Sequence, residues 1–139
     1  MKRSVTAVLA LIAALFVLTV PAPAQASTAC GYTWYATTYF DPDDHFTGCK
    51  GTLWMQLDGN LVIYHEYGYP LWASNTAGHD YAYAAFQTDG NLVVYSATGS
   101  PLWASNTRAP GGRLVYQDDG NLVIYNRYGT AVWATNTAH

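Results

Sequence analysis

Three times along this chain an amide, a carboxylate, a second amide, an aliphatic side chain and a phenol follow one another at every second position. The sets are Gln56, Asp58, Asn60, Val62 and Tyr64; then Gln87, Asp89, Asn91, Val93 and Tyr95; then Gln117, Asp119, Asn121, Val123 and Tyr125. The amides both donate and accept, the ionised carboxylate accepts strongly, the phenol does either, and valine offers an apolar contact. Together they suit a polyhydroxylated ring, whose hydroxyls both donate and accept and whose C–H groups form small apolar patches. A site that pairs particular hydroxyls also rejects epimers that leave its polar groups unpaired.

Catalysis fits the same residues poorly. Glycoside hydrolysis needs two differently tuned carboxylates flanking one bond, whereas Asp58, Asp89 and Asp119 each stand alone in equivalent settings. His45, His65, His79 and His139 occupy no repeated position, and neither a Gly-x-Ser-x-Gly nor a His-Glu-x-x-His pattern occurs. The chain therefore reads as a non-enzyme. Asp41-Pro-Asp-Asp-His45 could be taken for metal ligands, but Pro with clustered Asp marks a solvated turn, and no metal or other cofactor is expected.

The elements that must position these side chains follow from the repeat, which recurs at offsets of 31 and 30 residues as Gln56-Leu-Asp-Gly-Asn-Leu-Val-Ile-Tyr64, Gln87-Thr-Asp-Gly-Asn-Leu-Val-Val-Tyr95 and Gln117-Asp-Asp-Gly-Asn-Leu-Val-Ile-Tyr125. Asp-Gly between two apolar-rich runs is a strong hairpin signal. A three-residue loop with Gly59 in the left-handed position sets Gln56 opposite Asn60 and keeps Gln56, Asn60, Val62 and Tyr64 on one face. Met55, Leu61 and Ile63 then form the apolar face, as do Phe86, Leu92 and Val94, and Leu122 and Ile124. A two-residue loop would mix polar and apolar residues on both faces. Turn-making alone accounts for Asp, Gly and Asn, but not for the Gln, Val and Tyr kept beside them.

Each unit continues through Gly68, Gly99 or Gly129 to Trp72-Ala-Ser-Asn-Thr76, Trp103-Ala-Ser-Asn-Thr107 or Trp133-Ala-Thr-Asn-Thr137, with eight residues from Tyr to Trp every time. One such small sheet cannot bury its apolar face alone. Three can, around a common axis with Trp72, Trp103 and Trp133 equivalent and inward, as a threefold prism of about four strands per side. A β-trefoil or an open sandwich competes with that arrangement. The repeats span about residues 27–76, 77–107 and 108–139, so the irregular stretch before Leu53 is expected to complete the first unit. Trp34-Tyr-Ala-Thr-Thr38 resembles the Trp element only faintly.

The triple Gln-x-Asp-x-Asn-x-Val-x-Tyr resembles the bulb-type, or monocot, mannose-binding lectin family, over about Leu53 to His139. The resemblance implies an all-β fold, the β-prism II, with three four-stranded antiparallel sheets in pseudo-threefold symmetry. It also implies metal-free mannose binding: Asp and Asn on the axial O2, Gln on O3, Tyr on O4, and Val against C3 and C4. All fifteen positions named above match the motif. Plant members usually carry a cysteine inside the first motif, where this chain has Gly59; with its short export leader the chain is more similar to a bacterial secreted member. The resemblance leaves a homodimer open, and it admits an alternative in which the same prism serves a lectin-like bacteriocin or antimicrobial protein that recognises a surface glycan.

Composition agrees. Only 11% of residues are charged while 15% are aromatic, with twelve Tyr and five Trp, a balance suited to a β domain presenting amphipathic rings at polar surfaces. Lys2 and Arg3 precede an apolar run from Val5 to Val20 and the small-residue pattern Ala24-Gln25-Ala26, which reads as a signal peptide over residues 1–26 and a secreted domain over residues 27–139. The run is short for a membrane anchor, so no membrane insertion is expected. The secreted part sets Lys50, Arg108, Arg113 and Arg127 against nine acidic residues, a poor balance for nucleic acid; mannose-containing glycans or glycoproteins are the expected partners. Cys30 and Cys49, the only cysteines, should form a structural disulfide in an oxidising compartment.

Overall fold

In the computed structural model, which describes residues 30–139, the three hairpins form as their turns dictate. β4 (Gly51–Met55) and β5 (Leu61–His65) pair with Met55 opposite Leu61 and Trp54 opposite Val62. Beyond Met55, the Gln56 N–H donates to the Asn60 carbonyl at 2.9 Å and the Gly59 N–H to the Gln56 carbonyl at 3.0 Å. This is the three-residue loop, with Gly59 at φ 89° in the region a side chain disfavours. The same turn joins β7 (Tyr83–Phe86) to β8 (Leu92–Tyr95) and β10 (Arg113–Tyr116) to β11 (Leu122–Tyr125). Each hairpin then adds a third strand: β6 (Pro70–Ala73), β9 (Pro101–Ala104) or β12 (Ala131–Ala134).

The fourth strand of every sheet comes from the amino-terminal segment. β1 (Tyr32–Tyr35) pairs with β10, β2 (Thr38–Phe40) with β7 and β3 (His45–Thr47) with β4. The three antiparallel sheets are ordered β1-β10-β11-β12, β2-β7-β8-β9 and β3-β4-β5-β6, which is the β-prism II and leaves neither trefoil nor open sandwich standing. The stretch before Leu53 therefore does not complete the first unit alone. It runs past all three sheets and lends each one short edge strand, because each repeat carries only three strands of its own. The expected signal peptide, residues 1–26, lies outside the described residues.

Inward faces meet around the axis. Leu53, Leu61, Leu92, Leu114 and Leu122 are fully buried, together with Ile63, Val94 and Ile124. Aromatic triads close the two ends of this aliphatic stack. Trp72, Trp103 and Trp133 lie edge to face with centroids 5.3, 5.7 and 5.9 Å apart, equivalent and inward as expected. At the opposite sheet edges Trp34, Phe40 and Phe46, one from each of β1, β2 and β3, meet at 4.9–5.7 Å. Such edge-to-face pairs add about 0.5–1.5 kcal/mol each beyond area burial.

Cys30 and Cys49 are bonded to each other, 19 residues apart with Cα atoms at 5.2 Å. The bridge ties the start of β1 to the end of β3 and so encloses the segment that edges all three sheets. The Asp41–His45 stretch is a turn between β2 and β3. The Asp44 carboxylate accepts from the Asp41 N–H at 2.8 Å, and the Asp43 carboxylate from the Trp54 indole N–H at 3.1 Å.

Candidate functional site

The repeated polar residues come together in three copies on the outer faces of the sheets. In the first, Gln56 Nε2 donates to the Tyr64 hydroxyl at 2.7 Å. Gln87 meets Tyr95 in the same way, and Gln117 meets Tyr125 at 2.5 Å. With the Gln amide nitrogen engaged, its Oε1 remains an acceptor and the Tyr O–H a donor. One Asp oxygen caps the turn, accepting from the backbone N–H of Asn60, Asn91 or Asn121 at 3.0, 2.9 and 3.0 Å; the other faces outward on an exposed residue.

The Asn side chain is oriented from behind. Asn60 Oδ1 accepts from Ser74 Oγ at 3.3 Å and from the Thr76 N–H at 3.2 Å. Ser105 with Thr107 does the same for Asn91, and Thr135 with Thr137 for Asn121. Because Oδ1 is occupied on the protein side, Nδ2 is turned outward as a donor. The hydroxyls of Thr76, Thr107 and Thr137 donate to the carbonyls of Gly59, Gly90 and Gly120 at 2.6, 2.6 and 2.7 Å. The Ser-Asn-Thr or Thr-Asn-Thr that follows each Trp is thus a clamp on the site turn. Its central residues, Asn75, Asn106 and Asn136, adopt φ of 57, 55 and 56°, a conformation Asn tolerates better than most residues. Sequence reasoning saw this element as a strand carrying Trp; its threefold Asn-Thr ending was the available signal for the clamp.

Val62, Val93 and Val123 share the face of the other four residues but are only 2%, 3% and 3% exposed. Each is hemmed in by cross-strand neighbours, Trp54 and Ala73, Ala85 and Ala104, or Val115 and Ala134. The valines thus form a floor beneath the polar residues. Tyr is held at a repeated irregularity, since the register between the second and third strands of each sheet shifts beside Tyr64, Tyr95 and Tyr125. Such a bulge re-aims side chains.

The surroundings of the three sites differ. Tyr64 meets the Trp54 ring edge-on at 6.3 Å, Tyr95 stacks on Tyr83 at 5.5 Å, and Tyr125 lies under the Arg113 guanidinium at 4.8 Å. The third site opens into a cavity of about 410 Å³ that Arg113, Thr33 and Val115 share with Gln117, Asp119 and Tyr125. For metals, the one cluster of ligand-type atoms among the described residues is Cys30, Cys49 and Asp118, and its sulfurs are spent on the disulfide.

No family model and no curated protein sequence matches the chain. Solved structures do. A monomeric monocot mannose-binding lectin from Gastrodia elata is 32% identical with a TM-score of 0.68, covering 78% of this chain and 98% of its own. The mannose-specific agglutinin of snowdrop, Galanthus nivalis, solved with methyl-α-D-mannoside, is 38% identical with a TM-score of 0.59, covering 78% and 97%. A lectin from Allium sativum is 34% identical at 0.60, covering 74% and 96%. Together with the triplicated site geometry, these place the chain in the monocot mannose-binding lectin family, as a non-catalytic carbohydrate-binding protein.

Proposed function

We propose that this protein is a secreted, multivalent lectin that binds mannose without a metal ion at three sites: Gln56 to Tyr64, Gln87 to Tyr95 and Gln117 to Tyr125. The observation that carries the reading is the unspent hydrogen-bonding capacity of each site. One Asp oxygen, Asn Nδ2, Gln Oε1 and a Tyr O–H are left unspent on side chains of one sheet face beside a buried valine, and each side chain is already held by a bond to its neighbours. Such preorganisation lowers the ordering cost of binding.

An axial O2 hydroxyl can donate to Asp58 while accepting from Asn60 Nδ2; O3 then pairs with Gln56 and O4 with Tyr64, and C3 and C4 pack toward Val62. The second and third sites repeat the roles with Asp89, Asn91, Gln87, Tyr95 and Val93, and with Asp119, Asn121, Gln117, Tyr125 and Val123. An equatorial O2 leaves the Asp–Asn pair unsatisfied, so glucose is disfavoured. A hard cation would want several oxygen ligands, and each site offers one carboxylate already accepting a backbone N–H, which supports the metal-free reading. The leader at residues 1–26 supports export, and the acidic balance of the remainder favours neutral glycans over polyanions.

Calorimetry with methyl α-mannoside tests the reading. The expected result is three weak sites with Kd of roughly 1 mM, about −4 kcal/mol each, unchanged by chelator, with methyl α-glucoside much weaker. Absence of mannoside binding would overturn the function; binding abolished by chelator would overturn the metal-free mechanism.

A further inference from the structure

The first site does not end at Tyr64. On the outer face of the sheet β3-β4-β5-β6 it continues into a groove of about 530 Å³, lined chiefly by Trp54, Tyr64, His45, Thr47, Thr52 and Glu66. This volume falls in the range of small-molecule sites. We infer that the groove is a second sugar subsite, peculiar to the first of the three sites, which takes the next hexose of a mannose-containing oligosaccharide. The inference rests on the mannose reading above.

Three features point to a sugar ring as the occupant. The groove and the first site share Tyr64, so a glycan held there leads directly into it. Trp54 presents an aromatic surface on which pyranose C–H groups can pack. Its indole is immobilised by the bond to Asp43 and by the His45 ring at 5.7 Å, so little side-chain freedom is lost on binding. The remaining lining is polar and mixed in kind. Thr47 and Thr52 hydroxyls lie 3.2 Å apart, Glu66 contributes an exposed carboxylate, and His45, whose Nδ1 donates to the Asp43 carbonyl at 3.0 Å, has Nε2 to offer a ligand. Donors and acceptors beside an aromatic face suit a second polyol.

The restriction to the first site follows from cross-strand register. The residue opposite the site valine is Trp54 in the first hairpin, Ala85 in the second and Val115 in the third. Neither replacement carries a ring. The residue opposite Tyr is Thr52, Tyr83 or Arg113; the cavity at the third site has the Arg113 guanidinium in this place and no indole in its lining, so the pairing of a small hydroxyl with a Trp ring belongs to the first site.

The test compares methyl α-mannoside with α-linked mannobioses. In wild-type protein labelled with ¹⁵N, the Trp54 indole N–H, one of five indole signals, should move with at least one mannobiose and far less with the monosaccharide. Calorimetry on a Gln87→Ala/Gln117→Ala double variant, which isolates the first site, should show that mannobiose bound about five- to tenfold more tightly than methyl α-mannoside. Adding Trp54→Ala should collapse that ratio to within about twofold. Adding His45→Ala instead, at an exposed position, should lower the ratio partially, with the far-ultraviolet circular dichroism of the variant matching that of the wild type. If mono- and disaccharide bind equally and the Trp54 signal stays still, the subsite is overturned while the mannose reading stands. If no mannoside binds at any site, both fall.

Discussion

Tyr116 shows what one residue costs a threefold design. It occupies the inward position that Met55 and Phe86 fill in the other hairpins, is 0% exposed, and its hydroxyl has no hydrogen-bond partner. Desolvation pushes its pKa up to about 12. A buried unpaired hydroxyl costs about 1–3 kcal/mol, so Tyr116→Phe is expected to raise stability by about 1 kcal/mol in urea denaturation. A pH signature should accompany it. The folded phenol keeps its proton to about pH 12 while the unfolded one releases it near 10, so wild-type stability falls as pH rises through that window. Tyr116→Phe should lack this component; an identical alkaline profile would show that the ring is not desolvated.

At the scale of the element, the site turn depends on backbone as much as on side chains. A Cβ at Gly90 would meet the Ala109 carbonyl oxygen at 2.4 Å, with φ at 81°, whereas at Gly129, at the tip of the β11–β12 turn, a Cβ would meet nothing within 4 Å. Both positions are left-handed, so both alanine variants pay about 1 kcal/mol of backbone strain. Only Gly90→Ala must also displace backbone, and its cost should exceed 2 kcal/mol with loss of one binding site of three by calorimetry. Equal thermal stability of the two variants would contradict this. The clamp belongs to the same scale: Asn106→Ala should cost about 1 kcal/mol and weaken mannoside binding at the second site, because Thr107 and Ser105 hold Asn91 through that turn.

For the whole molecule the amino-terminal segment is the closing strap, since its three short strands complete three sheets and its Trp34, Phe40 and Phe46 cap one end of the core. The disulfide holds that strap as a loop, and opening it should cost about 3 kcal/mol in the chain-entropy account. A Cys30→Ser/Cys49→Ser double variant is therefore expected to unfold earlier in guanidinium. Valency is also a property of the whole: the three proposed sites would gain on the order of 10² to 10⁴ in avidity only where glycan spacing lets several engage together.

The hairpins, their three-residue turns, the polar face, the inward Trp triad and the Cys30–Cys49 pair were legible in the sequence. Each depends on local rules, period-two alternation, Asp-Gly turn chemistry and a repeat of constant length, that act within about thirty residues. What only the tertiary structure decided is non-local. The placement of β1, β2 and β3 in three different sheets, the burial of Val62, Val93 and Val123, the Ser/Thr clamp behind each Asn and the Trp54 groove all arise from pairing between distant strands. Alternation along one strand sets which face a side chain takes; it carries no information about which strand will lie beside it. The three motifs are therefore alike in sequence, and the sites they form differ through the neighbours that packing brings against them.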